Sequence, residues 1–256
     1  MDEIQVTRSD DGVVTLKLNR PQRKNAVTFE MWDELRSIFQ TVSNSPDDRV
    51  LVITGEGEGF CAGADLAAGQ PDRHPIHAMA PVNSAAIALH ECSKPTIAKV
   101  NGDAVGAGMN LALGCDLIVA SDRARFSEIF RRRALSLDFG GSWLLPRLIG
   151  LHKAKELALF GDIINAEEAE GMGLVNRVVP HEELDLFVDD WAKRLLDGPP
   201  LALGLSKKLL NNAFHQGLSE SLEAEASAQT VNLTSQDVRE GFAAFLEKRP
   251  PKFQGR

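Results

Sequence analysis

Two segments of small residues, each following an apolar run, have the composition needed to bind a ligand through main-chain amides. The first is Phe60-Cys61-Ala62-Gly63-Ala64-Asp65-Leu66, and the second runs from Asn101-Gly102 to Gly106-Ala107-Gly108-Met109-Asn110. Because these residues lack bulky side chains, their N–H groups can approach a ligand closely at a strand-to-helix turn. Two such turns side by side would direct two amides at one oxygen atom, as in an oxyanion hole. Tight packing of a helix on a strand would use the same residues.

Other patterns that could carry chemistry are incomplete. The glycine-rich segment 55–59 is followed by Phe60 where the dinucleotide fingerprint has its third glycine, and no Lys-Ser/Thr pair follows. His74 and His77 lie in a polar loop, which favours solvated side chains over metal ligands. The segment 140–143 lacks the second flanking glycine of a nucleophile elbow, so Ser142 is expected to cap a helix. We therefore expect no nucleotide cradle, no metal site and no serine nucleophile.

Hydrophobic periodicity places the two small-residue segments between strands and helices. Alternation predicts a hairpin from Ile4–Val6 and Val13–Leu18, and Thr28 is expected to cap the helix that follows. Apolar runs predict buried strands at Val50–Thr54, Thr96–Val100 and Leu117–Ala120, and a short strand at Val175–Val179. Helices are expected at about Ala78–His90, Ala107–Gly114, Ser142–Ile149, Lys153–Phe160 and Ala166–Gly171. This alternation is typical of an α/β fold.

The chain changes character near Gly198-Pro199-Pro200, since residues 182–248 read almost entirely as helix. We expect an α/β core over residues 1–198 and a helical C-terminal region over residues 199–256. The last predicted helix carries Val238, Phe242, Phe245 and Leu246 on one stripe. That stripe packs either on the core of its own chain or on a neighbouring subunit.

Charge and composition exclude several classes of protein. The chain has 28 Lys and Arg against 36 Asp and Glu, a net charge of −8, which disfavours general nucleic-acid binding. Three cysteines are too few for a disulfide framework. The first residues are acidic and alternate, unlike a signal peptide, and no apolar run approaches the ~18 residues of a membrane span. We expect a cytoplasmic protein without membrane contact.

Several motifs, in uninterrupted order from about residue 5 to the C-terminus, resemble those of the crotonase (enoyl-CoA hydratase/isomerase) superfamily. They are Asn19-Arg20-Pro21 with Asn25-Ala26, the two small-residue segments, Lys94-Pro95-Thr96-Ile97-Ala98, Cys115–Ser121, Gly171-Met172-Gly173-Leu174-Val175 and the Phe242–Lys248 ending. The resemblance implies a core of repeated ββα units arranged as a spiral, with C-terminal helices at the contacts of a homotrimer or a hexamer.

The resemblance also implies an acyl-CoA thioester as substrate, so that coenzyme A enters with the substrate and no separate cofactor is needed. The amides of Ala64 and Ala107 would form the oxyanion hole. The loop around Arg23, Lys24 and Ala26 would line the CoA moiety, and Lys248 and Lys252 would approach CoA from a neighbouring subunit. The segment Ala67–Pro81 would shape the acyl pocket. The full set of implied binding residues is Arg23, Lys24, Ala26, Ala62, Gly63, Asp65, Leu66, Gly106, Asn110, Phe130 and Lys252.

Both catalytic glutamates of typical hydratases are missing from this sequence. One would lie two residues after Gly108, where the chain has Asn110, and the other four residues after Phe126, where it has Phe130. Two carboxylates position and activate the water that adds across a double bond, so hydration by that route is not expected. Glu128 is close in sequence, but its spacing indicates a solvated charge.

One acid remains, Asp138, ahead of Gly140-Gly141-Ser142-Trp143. Isomerase branches of the superfamily, including the phenylacetate-pathway isomerase, are similar in placing an aspartate here. We expect Asp138 to move a proton between two carbons of an enoyl thioester, beside an apolar wall at Phe130; it could also cap the next helix. The alternatives are a hydratase with atypical catalytic groups and a homologue that binds acyl-CoA without turnover.

Two further features near this acid are interpreted as structural. Arg131-Arg132-Arg133 is interpreted as a solvated or intersubunit cluster, and Trp143 as part of the core.

Overall fold

The computed structural model describes residues 2–68 and 74–256 and contains two sheets with helices packed around them. The strands of the large sheet are β1 (Ile4–Arg8), β2 (Val13–Leu18), β3 (Val50–Gly55), β5 (Thr96–Val100), β7 (Leu117–Ser121) and β10 (Arg177–Val179). Their order is β1-β2-β3-β5-β7-β10, and every neighbouring pair is parallel except the β1–β2 hairpin. The predicted hairpin and buried strands are confirmed.

The small sheet was not predicted as a sheet. Its strands are β4 (Gly59–Cys61), β6 (Asp103–Val105), β8 (Arg125–Ser127) and β9 (Ile164–Asn165), in the order β4-β6-β8-β9. Strands of two or three residues are too short to show the alternation that predicts a strand from sequence.

Ten α-helices lie within the described residues. They are α1 (Phe29–Asn44), α2 (Pro75–Ala78), α3 (Ala80–His90), α4 (Ala107–Leu113), α5 (Gly141–Phe160), α6 (Ala166–Gly171), α7 (Leu184–Leu196), α8 (Pro200–Asn212), α9 (Leu218–Thr234) and α10 (Gln236–Glu247). Thr28 caps α1 as predicted, because its side chain accepts a hydrogen bond from Met31 N. In α5 the backbone leaves helical geometry at Gly150, which separates the two segments that were predicted as two helices.

Three successive units repeat one pattern, in which a strand of the large sheet is followed by a short strand of the small sheet and then by helix. β3 and β4 lead to α2 and α3, β5 and β6 lead to α4, and β7 and β8 lead, after a loop, to α5. This repeat confirms the predicted ββα spiral. Parallel pairing of β4 with β6 and of β6 with β8 places the ends of these short strands next to one another.

The large sheet is buried on both faces. One face meets the main core, which includes Trp32, Phe39 and Leu89 from the surrounding helices. The other face packs Val52 and Ile97 against Val188 and its neighbours on α7. Burial on both faces explains why the central strands are continuously apolar in sequence.

The C-terminal helices leave apolar side chains uncovered within one chain. Phe242, Phe245 and Leu246 of α10 are 63%, 81% and 79% exposed. The stripe predicted on the last helix therefore does not pack on the core of its own chain. No helix within the described part of the chain combines the length and the apolar character that crossing a membrane requires.

Candidate active site

The two small-residue segments meet at the ends of β4 and β6. The first turn is residues 62–65, directly after β4, and the second turn is residues 105–108, where α4 begins. A Cβ atom placed on Gly63, whose φ is +90°, would lie 2.8 Å from Val105 O and 3.4 Å from Ala107 N. A Cβ on Gly108 would lie 2.2 Å from Cys61 O. Glycine at these two positions lets the turns press together backbone to backbone.

The main-chain amides of Ala64 and Ala107 are free to bind a ligand. The main-chain groups on either side of Ala64 pair with Val27: the Gly63 carbonyl accepts from Val27 N at 2.8 Å, and Asp65 N donates to Val27 O at 2.9 Å. Ala107 is the first residue of α4, so its N–H has no partner within the helix. Among residues 2–68 and 74–256, neither Ala64 N nor Ala107 N donates a hydrogen bond. Such a pair of amides can stabilise a developing oxyanion.

The loop predicted to line CoA lies beside the first turn. Ala62 N donates to Lys24 O at 2.9 Å, and Ala26 is buried, whereas the side chains of Arg23 and Lys24 are exposed. Lys24 Nζ lies 3.5 Å from Asp103. The loop therefore presents two cations at the surface next to the first turn.

Arg20 links this loop to the first turn, a role that was not assigned from sequence. Its Nη2 lies 2.8 Å from Asp65 Oδ2, and its Nη1 donates to Ala26 O at 2.6 Å. Burial raises the pKa of Asp65, but the hydrogen bond and charge of Arg20 outweigh it and hold that pKa below its usual range. The Asn19-Arg20-Pro21 motif was the available signal, although its chemistry becomes clear only from the fold.

Lys252 and Leu66 lie apart from these contacts. The chain near Lys252 is held against α10, where Lys252 N donates to Glu240 at 2.8 Å, and within the described residues no hydrogen bond or ion pair joins Lys252 to either turn. Leu66 follows the first turn and is 64% exposed. Of the segment predicted to shape the acyl pocket, residues 69–73 lie outside the described residues.

A cluster of polar side chains lies one helical turn beyond Ala107. Asn110 is fully buried; its Nδ2 donates to the main-chain oxygen of Asp138 at 3.0 Å and lies 3.5 Å from Glu128 Oε2. Gly141 allows this approach, because a Cβ there would lie 2.4 Å from Asn110 Nδ2. Phe130 is buried, and its ring lies 3.7 Å from the position of a Cβ on Gly106. The fold thus brings Asn110, Phe130 and Asp138 close to the second turn.

The prediction that Glu128 is a solvated charge is wrong. Its exposed fraction is 0%, and it lies between β8 and the 3-10 helix Ile129–Arg133. Burial, together with the nearby charge of Asp138, raises the pKa of Glu128 to about 8, although the Asn110 hydrogen bond acts the other way. Counting positions along the sequence could not reveal this burial, because it depends on Asn110 and Asp138, which are 18 and 10 residues away.

Asp138 does not cap the helix that follows it, contrary to one of the predicted roles. Gly140 is the N-cap of α5 and no side chain caps it, while Ser142, also predicted as a cap, is the second residue of the helix. Instead, the Oδ1 atom of Asp138 is buried without a hydrogen-bond partner among the described residues. Burial raises the pKa of Asp138 to about 6.

An aromatic contact fixes the backbone that carries Asp138. Phe139 has φ +45° and Gly140 has φ +82°, so two left-handed residues follow the acid directly. The Phe139 ring packs on Trp32 of α1 with 4.9 Å between centroids, and both side chains are 1% exposed. A left-handed phenylalanine is costly and persists only where packing holds it. The Trp32 contact supplies that packing.

Two other sequence interpretations concern residues near α5. Arg131, Arg132 and Arg133 are exposed in the single chain, and Arg131 donates to Leu159 O at 2.9 Å. Trp143 is half-buried rather than part of the core; it stacks on His215 at 5.6 Å and lies under the Arg147 guanidinium at 4.0 Å.

The chain is similar to known proteins over essentially its whole length. Residues 8–256 match the family described as enoyl-CoA hydratase/isomerase. The sequence is 38% identical to 1,2-epoxyphenylacetyl-CoA isomerase of Escherichia coli (strain K12), with 100% of both chains covered. It is 36% identical to crotonyl-CoA hydratase of Syntrophomonas wolfei, covering 97% of this chain and 96% of the relative. The crystal structure of enoyl-CoA hydratase from Bacillus anthracis superposes with a TM-score of 0.95 at 34% identity, covering 100% of both chains.

Proposed function

Since the chain belongs to the enoyl-CoA hydratase/isomerase family, we propose that it binds an enoyl-CoA thioester and moves its double bond. The thioester oxygen accepts hydrogen bonds from Ala64 N and Ala107 N. Asp138 then takes a proton from the carbon next to the carbonyl, and the charge spreads into the dienolate that the two amides stabilise. Asp138 returns the proton two carbons away, so the double bond moves from the 3,4 to the 2,3 position.

One observation carries this proposal: the hydrogen bond of 3.0 Å from Asn110 Nδ2 to Asp138 O. Asn110 lies three residues after Ala107 on α4, so this bond ties the loop of the acid to the helix that supplies one oxyanion amide. With a pKa of about 6, Asp138 is ionised at neutral pH and remains a stronger base than an exposed aspartate. The arrangement supports a base held at a fixed place relative to the thioester oxygen.

The residues at the two hydratase positions support isomerisation over hydration. An asparagine amide has no basic oxygen that could deprotonate water, and Phe130 offers no polar group at all. Double-bond migration adds no water, so one base with access to both carbons is enough. The relative named 1,2-epoxyphenylacetyl-CoA isomerase is consistent with this assignment.

A specific observation favours hydratase activity as the second candidate. Glu128 supplies a second carboxyl group in the cluster, and relatives such as crotonyl-CoA hydratase carry that activity in their names. The full burial of Glu128 behind Asn110 argues against it, because a carboxylate that activates water must reach that water.

The site surroundings suggest where CoA binds and how subunits meet. We propose that CoA lies along the loop of Arg23, Lys24 and Ala26, whose two exposed cations suit its phosphates. The exposed apolar side chains of α10 support a trimer or a dimer of trimers in which Lys248 and Lys252 reach CoA bound to a neighbour. Sedimentation analysis tests the assembly.

The deciding experiment compares 3-hexenoyl-CoA and crotonyl-CoA as substrates for the wild type and Asp138→Ala. We expect isomerisation without hydration, and a fall in kcat of about 10²–10⁴ in the variant. Asp190→Asn on α7, at an exposed aspartate, is the matched control. Crotonyl-CoA hydration that survives Asp138→Ala would contradict the proposal. Binding of acyl-CoA with no turnover of either substrate would indicate a binding protein.

A further inference from the structure

Three buried oxygen atoms in the polar cluster have no hydrogen-bond donor among the described residues. They are Asn110 Oδ1, Glu128 Oε1 and Asp138 Oδ1. Buried polar atoms in folded proteins are almost always paired, so three orphaned acceptors in one cluster call for an explanation. If both carboxyl groups were ionised, the cluster would hold only acceptors around the single Asn110 amide.

The residues packed around Glu128 bring no positive charge to it. Its side chain meets the Asn110 amide from α4 at 3.5 Å and the electrostatic field of Asp138 from the following loop. The two nearest cations in sequence are engaged elsewhere: Arg125 pairs with Asp103 at 2.8 Å, and Arg131 donates to Leu159 O at 2.9 Å. No Lys, Arg or His among the described residues pairs with either carboxyl group. A buried carboxylate without a cation is strongly disfavoured relative to the neutral acid.

We propose that Glu128 is a positioning residue that works as a neutral carboxylic acid, donating its single O–H to the orphaned oxygen of Asn110, the residue that holds the Asp138 loop. The inference rests on the proposed function, in which Asp138 is the base. A proton on Glu128 supplies the donor that the cluster lacks and leaves Asp138 as its only negative charge. Because Glu128 has no exposed surface, it acts through Asn110 and Asp138 and does not touch the substrate.

The order in which the two acids titrate follows from this arrangement. Asp138 loses its proton first, with a pKa of about 6, while Glu128 is still neutral. Glu128 carries no charge at that point, so burial alone raises the pKa of Asp138. Glu128 then loses its proton against the charge already present, with a pKa of about 8. The two steps belong to the pair as a whole. Above the second step the cluster loses its donor and gains a charge that repels the dienolate.

The kinetic test compares the pH dependence of kcat for 3-hexenoyl-CoA isomerisation in the wild type and Glu128→Gln. The glutamine keeps an N–H donor and cannot ionise. We expect wild-type kcat to fall above pH 8 by up to about tenfold per pH unit, and the variant to show no such fall. Glu156→Gln, at an exposed position of α5, should follow the wild type. Parallel profiles for wild type and Glu128→Gln would overturn the inference, because a merely structural role lowers kcat equally at every pH.

A second readout does not depend on turnover. Infrared spectra of the protein with carbon-13-labelled glutamate should contain the C=O band of a protonated carboxylic acid at pH 7, and Glu128→Gln should lack it. Absence of the band in the folded wild type would overturn the inference whatever the reaction is. If the band is present but Asp138→Ala still isomerises, the proposed function fails and the protonated Glu128 remains. If Asp138→Ala is inactive and the band is absent, only the present inference fails.

Discussion

The side-chain amide of Asn110 donates to the main-chain oxygen of Asp138 at 3.0 Å. This one bond joins α4, which begins with the proposed oxyanion amide of Ala107, to the loop that carries Asp138. Asn110, which stands where the resemblance to hydratases implied a glutamate, thus has a structural connection to Asp138. In the proposed reaction it sets the distance between the base and the thioester.

Removing this amide should cost both stability and rate. Asn110→Ala leaves the Asp138 carbonyl with only its hydrogen bond from Gly141 N, at 2.9 Å, and opens space beside Gly141. We therefore expect the free energy of unfolding to fall by about 1–3 kcal/mol. The kcat for isomerisation should fall more than the affinity for acyl-CoA, because Asp138 is displaced while the loop of Arg23, Lys24 and Ala26, where CoA is proposed to bind, is untouched. Urea denaturation and steady-state kinetics measure the two effects. A variant as active as the wild type would show that the bond does not position Asp138.

The contact between the two turns predicts a strong effect of Gly63→Ala. The added methyl would meet Val105 O at 2.8 Å, and φ of +90° is unfavourable for alanine. The turns must separate, so we expect kcat to fall by about 10²–10³, the loss typical of removing one oxyanion donor. Gly171→Ala is the matched control, since nothing lies within 4 Å of its Cβ position. Equal kcat values for the two variants would argue against a shared oxyanion site.

Arg20 should matter to substrate binding although it lies behind the loop. Arg20→Met removes the ion-pair partner of Asp65, whose side chain is 8% exposed, and leaves only the more distant charge of Arg23 acting on it. The change also frees Ala26 O. Breaking such a pair costs about 3–5 kcal/mol when both groups are buried, so we expect a clear fall in the urea midpoint and a raised KM for acyl-CoA. Arg194→Met removes an exposed ion pair and should change stability by no more than about 1 kcal/mol. An unchanged KM in a folded Arg20→Met protein would contradict the link between loop and turn.

The raised pKa of Asp138 predicts where activity is lost in acid. Protonation removes the base, so kcat/KM should fall as the pH decreases through about 6, well above the ordinary aspartate value of 3.8. The folded state holds this proton more tightly than the unfolded chain does. Ionisation of Asp138 therefore lowers the free energy of unfolding as the pH rises from 3.8 to about 6. Protonating Asp138 in acid stabilises the fold, so the loss of activity that accompanies it is not caused by unfolding. Measuring urea midpoints over the same pH range separates the two. A kcat/KM that falls only near pH 4 would contradict the assignment of Asp138 as the base.

Much of the fold was predictable because its signals are local. Thr28 lies directly before an amphipathic helix, and the strand Thr96–Val100 is apolar throughout because it is buried on both faces. The three-residue strands of the small sheet escaped prediction because their pairing depends on neighbours more than 20 residues away in sequence. The turns they lead into were nevertheless recognisable from their small residues.

The sequence by itself determined the family, the two turns of small residues and the absence of glutamate at positions 110 and 130. These follow from residue identity and order, which local patterns record directly. Only the tertiary structure decided that Glu128 is buried beside Asn110 and that Asp138 leaves α5 uncapped. Those facts depend on the contacts that Asn110 of α4 makes with Glu128 and with the loop before α5. The charge state of a carboxyl group is set by what surrounds it in space, and residues 18 and 28 positions apart meet only after the chain has folded.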